Sequence, residues 1–228
     1  MAFRKIITAR KEGTMSDFRI KTYPVGELET NCYVIYRKGQ KKMVIVDPGD
    51  NGMFILNKCR ELSMTPEVIL LTHGHFDHIL AVEDIKRAFP EVKIYAGQQE
   101  KGLLEDPAVN LSSSFGRACT VSADEYAEDR ASLSIGGITF QVLFTPGHTS
   151  GSVCYLVQPE SVLISGDTLF LRSLGRTDFP TGNQSMILSS IRERLFALPE
   201  DTMVYPGHGG VTTIGHEKVH NPAALYRG

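Results

Sequence analysis

The chain is expected to be an α/β protein, with helices packed on the outer faces of β-sheets in a single domain. Three observations lead there. Short β-rich runs recur from Phe18 onward, the early ones spaced like hairpins and the later ones alternating with helical patterns. Apolar residues at helical spacing mark Ile79, Val82, Ile85 and Phe89, ending before Pro90, and again Ile187, Ile191 and Leu195, before Pro199. The composition, 42% hydrophobic and 22% charged over 228 residues, excludes a disordered, collagen-like or coiled-coil chain. A chain of this length buries a sizeable core.

Taken in order, residues 1–17 read as a flexible N-terminal extension. Within Met1 to Thr14, Arg4, Lys5, Arg10 and Lys11 stand against one acid, Glu12, with no apolar stretch of a secretory signal, and Met15 offers a second start. Residues 18–228 form the domain. Its expected strands are 20–25, 32–36, 43–46, 68–71, 138–144, 153–157, 162–164 and 203–205. A further helix is expected over 53–62, whereas 102–128 is polar with weak periodicity and takes no assignment. The net charge of −2 argues against nucleic acid and anionic membrane as partners. No apolar run reaches the roughly 20 residues of a membrane span. Cys32, Cys59, Cys119 and Cys154 lie far apart without a CxxC pair, which points to a reduced, cytoplasmic protein. Cys32, Cys154 and Tyr205 read as core residues.

The chemistry is concentrated in Thr72-His73-Gly74-His75-Phe76-Asp77-His78, three histidines and an aspartate within six positions. One structural face cannot bury so many polar groups without partners, and a divalent cation would satisfy them all. Three single residues repeat a common setting, a Gly close to the end of an apolar β run: His148 in Thr145-Pro146-Gly147-His148-Thr149, Asp167 in Ser165-Gly166-Asp167-Thr168, and His208 in Pro206-Gly207-His208-Gly209. Alone, each reads equally as a solvated turn residue or a helix cap. With the strands in register, these turns open on one edge of the sheets. The ligands then divide into His73, His75 and His148 at one metal and Asp77, His78 and His208 at a second, with Asp167 bridging. A hydroxide held between two such ions is nucleophilic at neutral pH. Asp47, in Val46-Asp47-Pro48-Gly49, sits at one more such turn. His216 and His220, at i and i+4 in a polar tail, read as a solvated helix face.

These motifs, together with Thr30-Asn31-Cys32-Tyr33 and Leu169-Phe170, resemble the metallo-β-lactamase-fold hydrolases, and within them the glyoxalase II (hydroxyacylglutathione hydrolase) group. The resemblance runs from about Phe18 onward. It implies a four-layer αββα sandwich, the seven metal ligands named above, and an Asp47 that fixes a ligand histidine by hydrogen bond. A plain turn residue before Pro48 is the alternative for Asp47. The tail from Thr212 to Pro222 is similar to a short, single-domain subgroup without the added helical domain of larger relatives, although Gly210 replaces the usual Pro and Ala223 follows Asn221-Pro222. Implied, then, is a thioester hydrolase acting on a small acylthiol such as S-lactoylglutathione. It would carry two divalent ions, zinc first, with iron or manganese also accepted by these donors. Asp77 would orient the hydroxide as well as ligate. Arg176 matches the position from which relatives reach an anionic thiol carrier, or else it is a loop arginine paired with Asp178. Persulfide dioxygenases of this fold share the Gly175-Arg176-Thr177-Asp178-Phe179 run and use one iron held by residues matching His73, His148 and Asp167. They tend to carry Ala where this chain has Gly207, and that reading leaves Asp77, His78 and His208 without an ion.

Overall fold

Period-two alternation within the apolar runs builds two sheets, each buried on both faces. The structure, a computed structural model, describes residues 10–11 and 14–226. Arg10–Lys11 (β1) and Thr14–Met15 (β2) pair as a two-residue ladder. The rest of the expected extension before Phe18, and its flexibility, falls largely outside the described residues.

The first sheet contains Phe18–Val25 (β3), Thr30–Arg37 (β4), Lys42–Val46 (β5), Thr65–Leu70 (β6), Lys93–Gly97 (β7) and Glu125–Ala127 (β8), side by side in that order. The strands from β3 to β5 pair antiparallel, and those from β5 to β8 pair parallel. Parallel neighbours need crossovers. Gly52–Leu62 (α1) supplies the first, and Phe76–Ile79 (α2) with Val82–Ala88 (α3) the second. Lys101–Leu104 (α4) follows β7. In the second sheet are Ser132–Ile135 (β9), Ile138–Phe144 (β10), Val153–Val157 (β11) and Val162–Gly166 (β12). Leu169–Phe170 (β13) and Ser173–Leu174 (β14) then form a separate hairpin. Gln184–Ser189 (α5) widens into a π turn over Ser190–Leu195. Met203–Pro206 (β15) and Thr212–Thr213 (β16) complete the sheet, and Ile214–His220 (α6) and Pro222–Leu225 (α7) close the chain.

Alternate side chains sort into three apolar layers. Tyr33, Ile35, Val44, Val46, Val68 and Leu70 of the first sheet meet Phe140, Val142, Val153, Tyr155 and Ile164 of the second. The opposite face of the first sheet, with Cys32, Val34, Ile45 and Ile69, packs on Ile55, Val82 and Ile85. The opposite face of the second, with Cys154, Leu156, Leu163 and Val204, packs on Ile187, Ile191, Leu195 and Ile214. The result is an αββα sandwich. Direct hydrogen bonds also cross between the sheets at one edge. Asn31 N–H donates to the Gly207 carbonyl (2.7 Å), Val153 N–H to the Thr72 carbonyl (2.8 Å), and the Tyr155 hydroxyl to the Leu71 carbonyl (2.8 Å). Among the described residues no helix is long and apolar enough to cross a membrane.

The structure departs from expectation in two places that matter for the site. The single helix expected through Ile79 and Phe89 is broken at Leu80 and Ala81. The Ala81 N–H turns to the Pro48 carbonyl (3.0 Å), and Gly49 lies so close that a Cβ there would overlap the Asp77 carbonyl oxygen. The turn after β5 is thus wedged into the helix, and α2 becomes a single turn carrying Asp77 and His78. Secondly, β7 and the segment after it carry no signal long enough to be assigned from sequence. That segment is an irregular loop stitched by Asn110, whose side chain donates to the Cys119 carbonyl (2.9 Å) and accepts from Ser112 N–H (2.9 Å).

Candidate metal centre

The candidate ligands gather at the edge where the two sheets are hydrogen-bonded together. His73 to His78 follow β6, His148 follows β10, Asp167 follows β12 and His208 follows β15. Three groups emerge in which each residue offers a ligand atom within 4.8 Å of the others: His73, His75 and His148; Asp77, His78 and His208; and His73, His78 and Asp167. His73, His75, His78 and His148 are buried, whereas Asp77, Asp167 and His208 are partly open. Asp167 stands between the groups, Oδ1 3.5 Å from His78 Nε2 and Oδ2 3.6 Å from both His148 Nε2 and His208 Nε2.

Hydrogen bonds behind the ligands set the direction of each ring. His78 Nδ1–H donates to Asp47 Oδ2 (3.0 Å), and His148 Nδ1–H to the Arg176 carbonyl (2.8 Å). His208 Nδ1–H donates to the Leu28 carbonyl (3.0 Å). The Thr72 hydroxyl donates to Asp47 Oδ2 (2.6 Å), so its oxygen accepts from His73 Nδ1–H (3.2 Å). Four imidazoles are therefore fixed with Nδ1 outward and Nε2 turned inward. His75 is reversed, its Nδ1 lying 2.9 Å from His148 Nε2. Nε2 of His73, His75 and His78 and Oδ1 of Asp167 are buried without a hydrogen-bond partner. Buried polar atoms without partners are costly, and a nitrogen and oxygen set of this kind fits divalent cations.

Asp47 is more than a turn residue. Its φ of +48° lies in the left-handed region, which aspartate tolerates better than most residues. Its Oδ1 also accepts from Thr72 N–H (2.8 Å), so the one carboxylate orients both His73 and His78.

The electrostatics follow from this crowding. Burial, reinforced by neighbouring histidines, holds His73 well below its ordinary pKa and lowers His75 as well. Both rings are kept neutral. Burial opposes the charge on His78, but Asp77, Asp167 and Asp47 outweigh it and push its pKa up to about 10. Burial likewise works against ionised Asp77; His78, His208 and the Thr30 hydroxyl overcome it and hold its pKa below the usual carboxylate range. That hydroxyl donates to Asp77 Oδ2 at 2.8 Å.

A cavity of about 470 Å³ opens above these residues. Arg176 lines it, half-exposed, with its guanidinium in a two-fold pair with Asp178 (2.7 Å each) and 3.8 Å from the Phe179 ring. The pairing with Asp178 is thus observed, alongside a place at the cavity wall. His216 and His220 lie apart on α6, their rings 4.5 Å from each other.

Sequence reasoning missed Glu100. It is fully buried beneath the ligand loops, where Oε1 accepts from the Thr149 hydroxyl (2.6 Å) and from Gly74 N–H (3.2 Å), and Oε2 has no partner. It clamps the loop of His73 and His75 to the loop of His148. Burial raises its pKa to about 7, offset in part by Thr149 and by the amides of Gly74 and Gly151. The available signal was the setting shared by the other site residues, an apolar β run and a Gly shortly before a polar residue, here Ile94-Tyr95-Ala96-Gly97 before Glu100. The tail motif also gains a purpose. Glu217 and Asn221, both fully buried, bond Arg172 N–H (2.8 Å) and the Ser173 carbonyl (2.9 Å), which pins the β13–β14 hairpin against the cavity.

Known proteins share this fold. A model of the metallo-beta-lactamase superfamily matches residues 25–208. The chain is 41% identical to the probable metallo-hydrolase YqgX of Bacillus subtilis, over 87% of this chain and 94% of that one. It is 34% identical to the hydroxyacylglutathione hydrolase GloC of Haemophilus influenzae, over 89% and 96%. Among solved structures it is similar to the B3 metallo-beta-lactamase BLEG-1, with a TM-score of 0.86 and 44% identity, covering 91% of this chain and all (100%) of that one. The di-iron-bound form of TTHA1623 gives a TM-score of 0.79 and 32% identity, covering 89% and 98%. With its sandwich fold, its ligand-bearing edge and homologues named as metallo-hydrolases, the chain belongs to the metallo-beta-lactamase superfamily.

Proposed function

We propose that this chain hydrolyses acylthiol thioesters, S-lactoylglutathione among them, in the reducing cytoplasm. The observation that carries the reading is the pair of three-residue groups sharing the cavity floor, with Asp167 between them. His73, His75 and His148 would hold one divalent cation and Asp77, His78 and His208 another, with Asp167 reaching both. Bound there, the ions supply a water of pKa near 7 and a charge that polarises a carbonyl. Zinc is the ion this reading puts first, and iron and manganese accept the same donors. The similarity to the Haemophilus hydroxyacylglutathione hydrolase supports the thioester class.

The protein's own groups divide the remaining work. Asp77, held ionised and aimed by the Thr30 hydroxyl, accepts a hydrogen bond from the attacking water and orients it. Asp47 positions His78 through its Nδ1–H. Arg176 offers a contact for an anionic group on the thiol carrier, its charge shared with Asp178. A one-iron oxygenase at His73, His148 and Asp167 fits less well. A Cβ at residue 207 would overlap Asp167 Oδ1 and stand 2.9 Å from His78 Cε1, so glycine here is what leaves the bridging carboxylate room.

The test is decay of the S-lactoylglutathione thioester absorbance, without oxygen, using metal-loaded protein and Asp77→Ala as the control. Turnover that disappears in the variant is the expected result. Turnover only when oxygen and a persulfide are supplied would reject the hydrolase.

A further inference from the structure

The cavity above the candidate ligands has two chemically different ends. At one end Arg176 and Phe179 flank His148 and His75; the Phe179 ring centre is 5.7 Å from that of His75. At the other, Leu28, Phe76, Leu111, Phe115 and Phe170 line the wall. Three of these adjoin the second group, and Leu111 and Phe115 extend the wall beyond Phe76. Phe76 precedes Asp77, the Leu28 carbonyl holds His208, and the Phe170 ring centre is 6.2 Å from that of His208. Among the described lining residues Arg176 is the one lysine or arginine, and Asp178 already neutralises it.

This apolar wall is a built surface. Phe115 stacks on Phe76 with ring centres 4.3 Å apart and planes at 25°. The loop that carries Leu111 and Phe115 is anchored by fully buried Asn110, whose carbonyl accepts from Phe76 N–H (3.0 Å). Leu111 itself holds a left-handed backbone at φ +72°, an unfavourable state for a leucine that the surrounding bonds must sustain. Phe170 is held in place by the Glu217 and Asn221 bonds to its hairpin. Phe115 and Leu28 nevertheless remain 54% and 47% exposed, so large apolar surface faces the cavity unsatisfied.

Resting on the thioester reading, we infer that the acyl group of the preferred substrate is apolar, an aryl or medium-length alkyl group, with lactoyl a poor member of the series. The carbonyl has to lie beside Asp77, which puts the acyl carbon one bond away, among Phe76, Phe170 and Leu28. The water-soluble thiol carrier extends toward Arg176. A hydroxyl-bearing acyl group would lose its hydration against these five side chains, where Ser173, paired with Phe170 across the hairpin, is the one hydroxyl among the lining residues.

The experiment holds glutathione as the carrier and varies the acyl group through acetyl, lactoyl, butanoyl, hexanoyl and phenylacetyl. kcat/KM should rise about two- to fourfold per added methylene, the scale of burying a CH₂, with lactoyl below butanoyl. Phe115→Ala and, independently, Leu28→Ser should each flatten that slope. In parallel, calorimetry on the metal-loaded protein should find S-hexylglutathione binding at least about tenfold more tightly than S-methylglutathione. A flat or falling series in which lactoyl is turned over would overturn the apolar acyl group and leave the hydrolase standing. No hydrolysis anywhere in the series would remove the thioester reading, and equal binding of the two thioethers would then remove the apolar pocket as well.

Discussion

The floor of the cavity and its wall are held in place by different means. On the floor, hydrogen bonds fix the rings, with buried ones joining His78 to Asp47 and His73 to Thr72, a partly buried one joining His148 to the Arg176 carbonyl, and a more open one joining His208 to the Leu28 carbonyl. Along the wall, Leu28 and Phe115 project from loops with about half of their surface in water. A group removed from water cannot shift without leaving a donor or acceptor unpaired, whereas an exposed ring can be exchanged at little cost. The chemistry is therefore rigidly specified and the choice of substrate is not.

Substitutions should separate the two regions. The largest effect is expected on the floor, where Asp77→Ala should lower kcat/KM by about a thousandfold, the scale of losing a charge-stabilising group, with the circular dichroism of the fold retained. Near-normal turnover would break the distinction at once. Gly207→Ala should come next, because the added methyl displaces Asp167 Oδ1. Metal analysis should then find bound ion falling from two per chain toward one, with activity down about a hundredfold. Asp47→Asn, which alters the partner of His78 and Thr72 without changing size, should weaken metal affinity by about 10- to 100-fold; competition with a chelator measures it.

Glu100→Gln tests the layer beneath the floor. The raised pKa means that the folded protein holds a proton near pH 6 that the unfolded chain has released. Stability from this group is thus present at low pH and lost as pH climbs from about 4.5 to about 7. In the metal-free protein, urea unfolding should find wild type losing about 2 kcal/mol relative to Glu100→Gln between pH 5 and pH 8. The smallest effect belongs to the wall. Phe115→Ala should leave stability within about 0.5 kcal/mol while raising KM for hexanoyl thioesters several-fold. An unfolding midpoint that collapsed in this variant would erase the contrast between floor and wall.

Much of the floor was legible in the sequence because its signal was dense. His73, His75, Asp77 and His78 lie within one short block, and the lone His148, Asp167 and His208 became readable through a shared strand-end setting. Glu100 escaped because β7 alternates Lys93-Ile94-Tyr95-Ala96 without a long apolar run, and because a carboxylate is seldom expected in a core. The wall escaped for a different reason. Phe76, Phe115 and Phe170 are ordinary apolar residues in a sequence, and whether such a ring is packed inward or left facing a cavity depends on tertiary placement. The loop after α4 gave no period to read because side-chain bonds from Asn110 and Ser112, rather than a repeating backbone pattern, fix its shape. The break between α2 and α3 was likewise invisible, being imposed by a turn roughly 30 residues away in the chain.

The bonds that join the two sheets at the ligand edge have a consequence for how the protein assembles. His73 and His75 need His148, Asp77 and His78 need His208, and His73 and His78 need Asp167. The first half of the chain always supplies two members of a group and the second half the third. None of these three groups is complete until the halves have docked. An ion held by any of them would act as a latch on the finished seam, its binding free energy added to the association of the two halves.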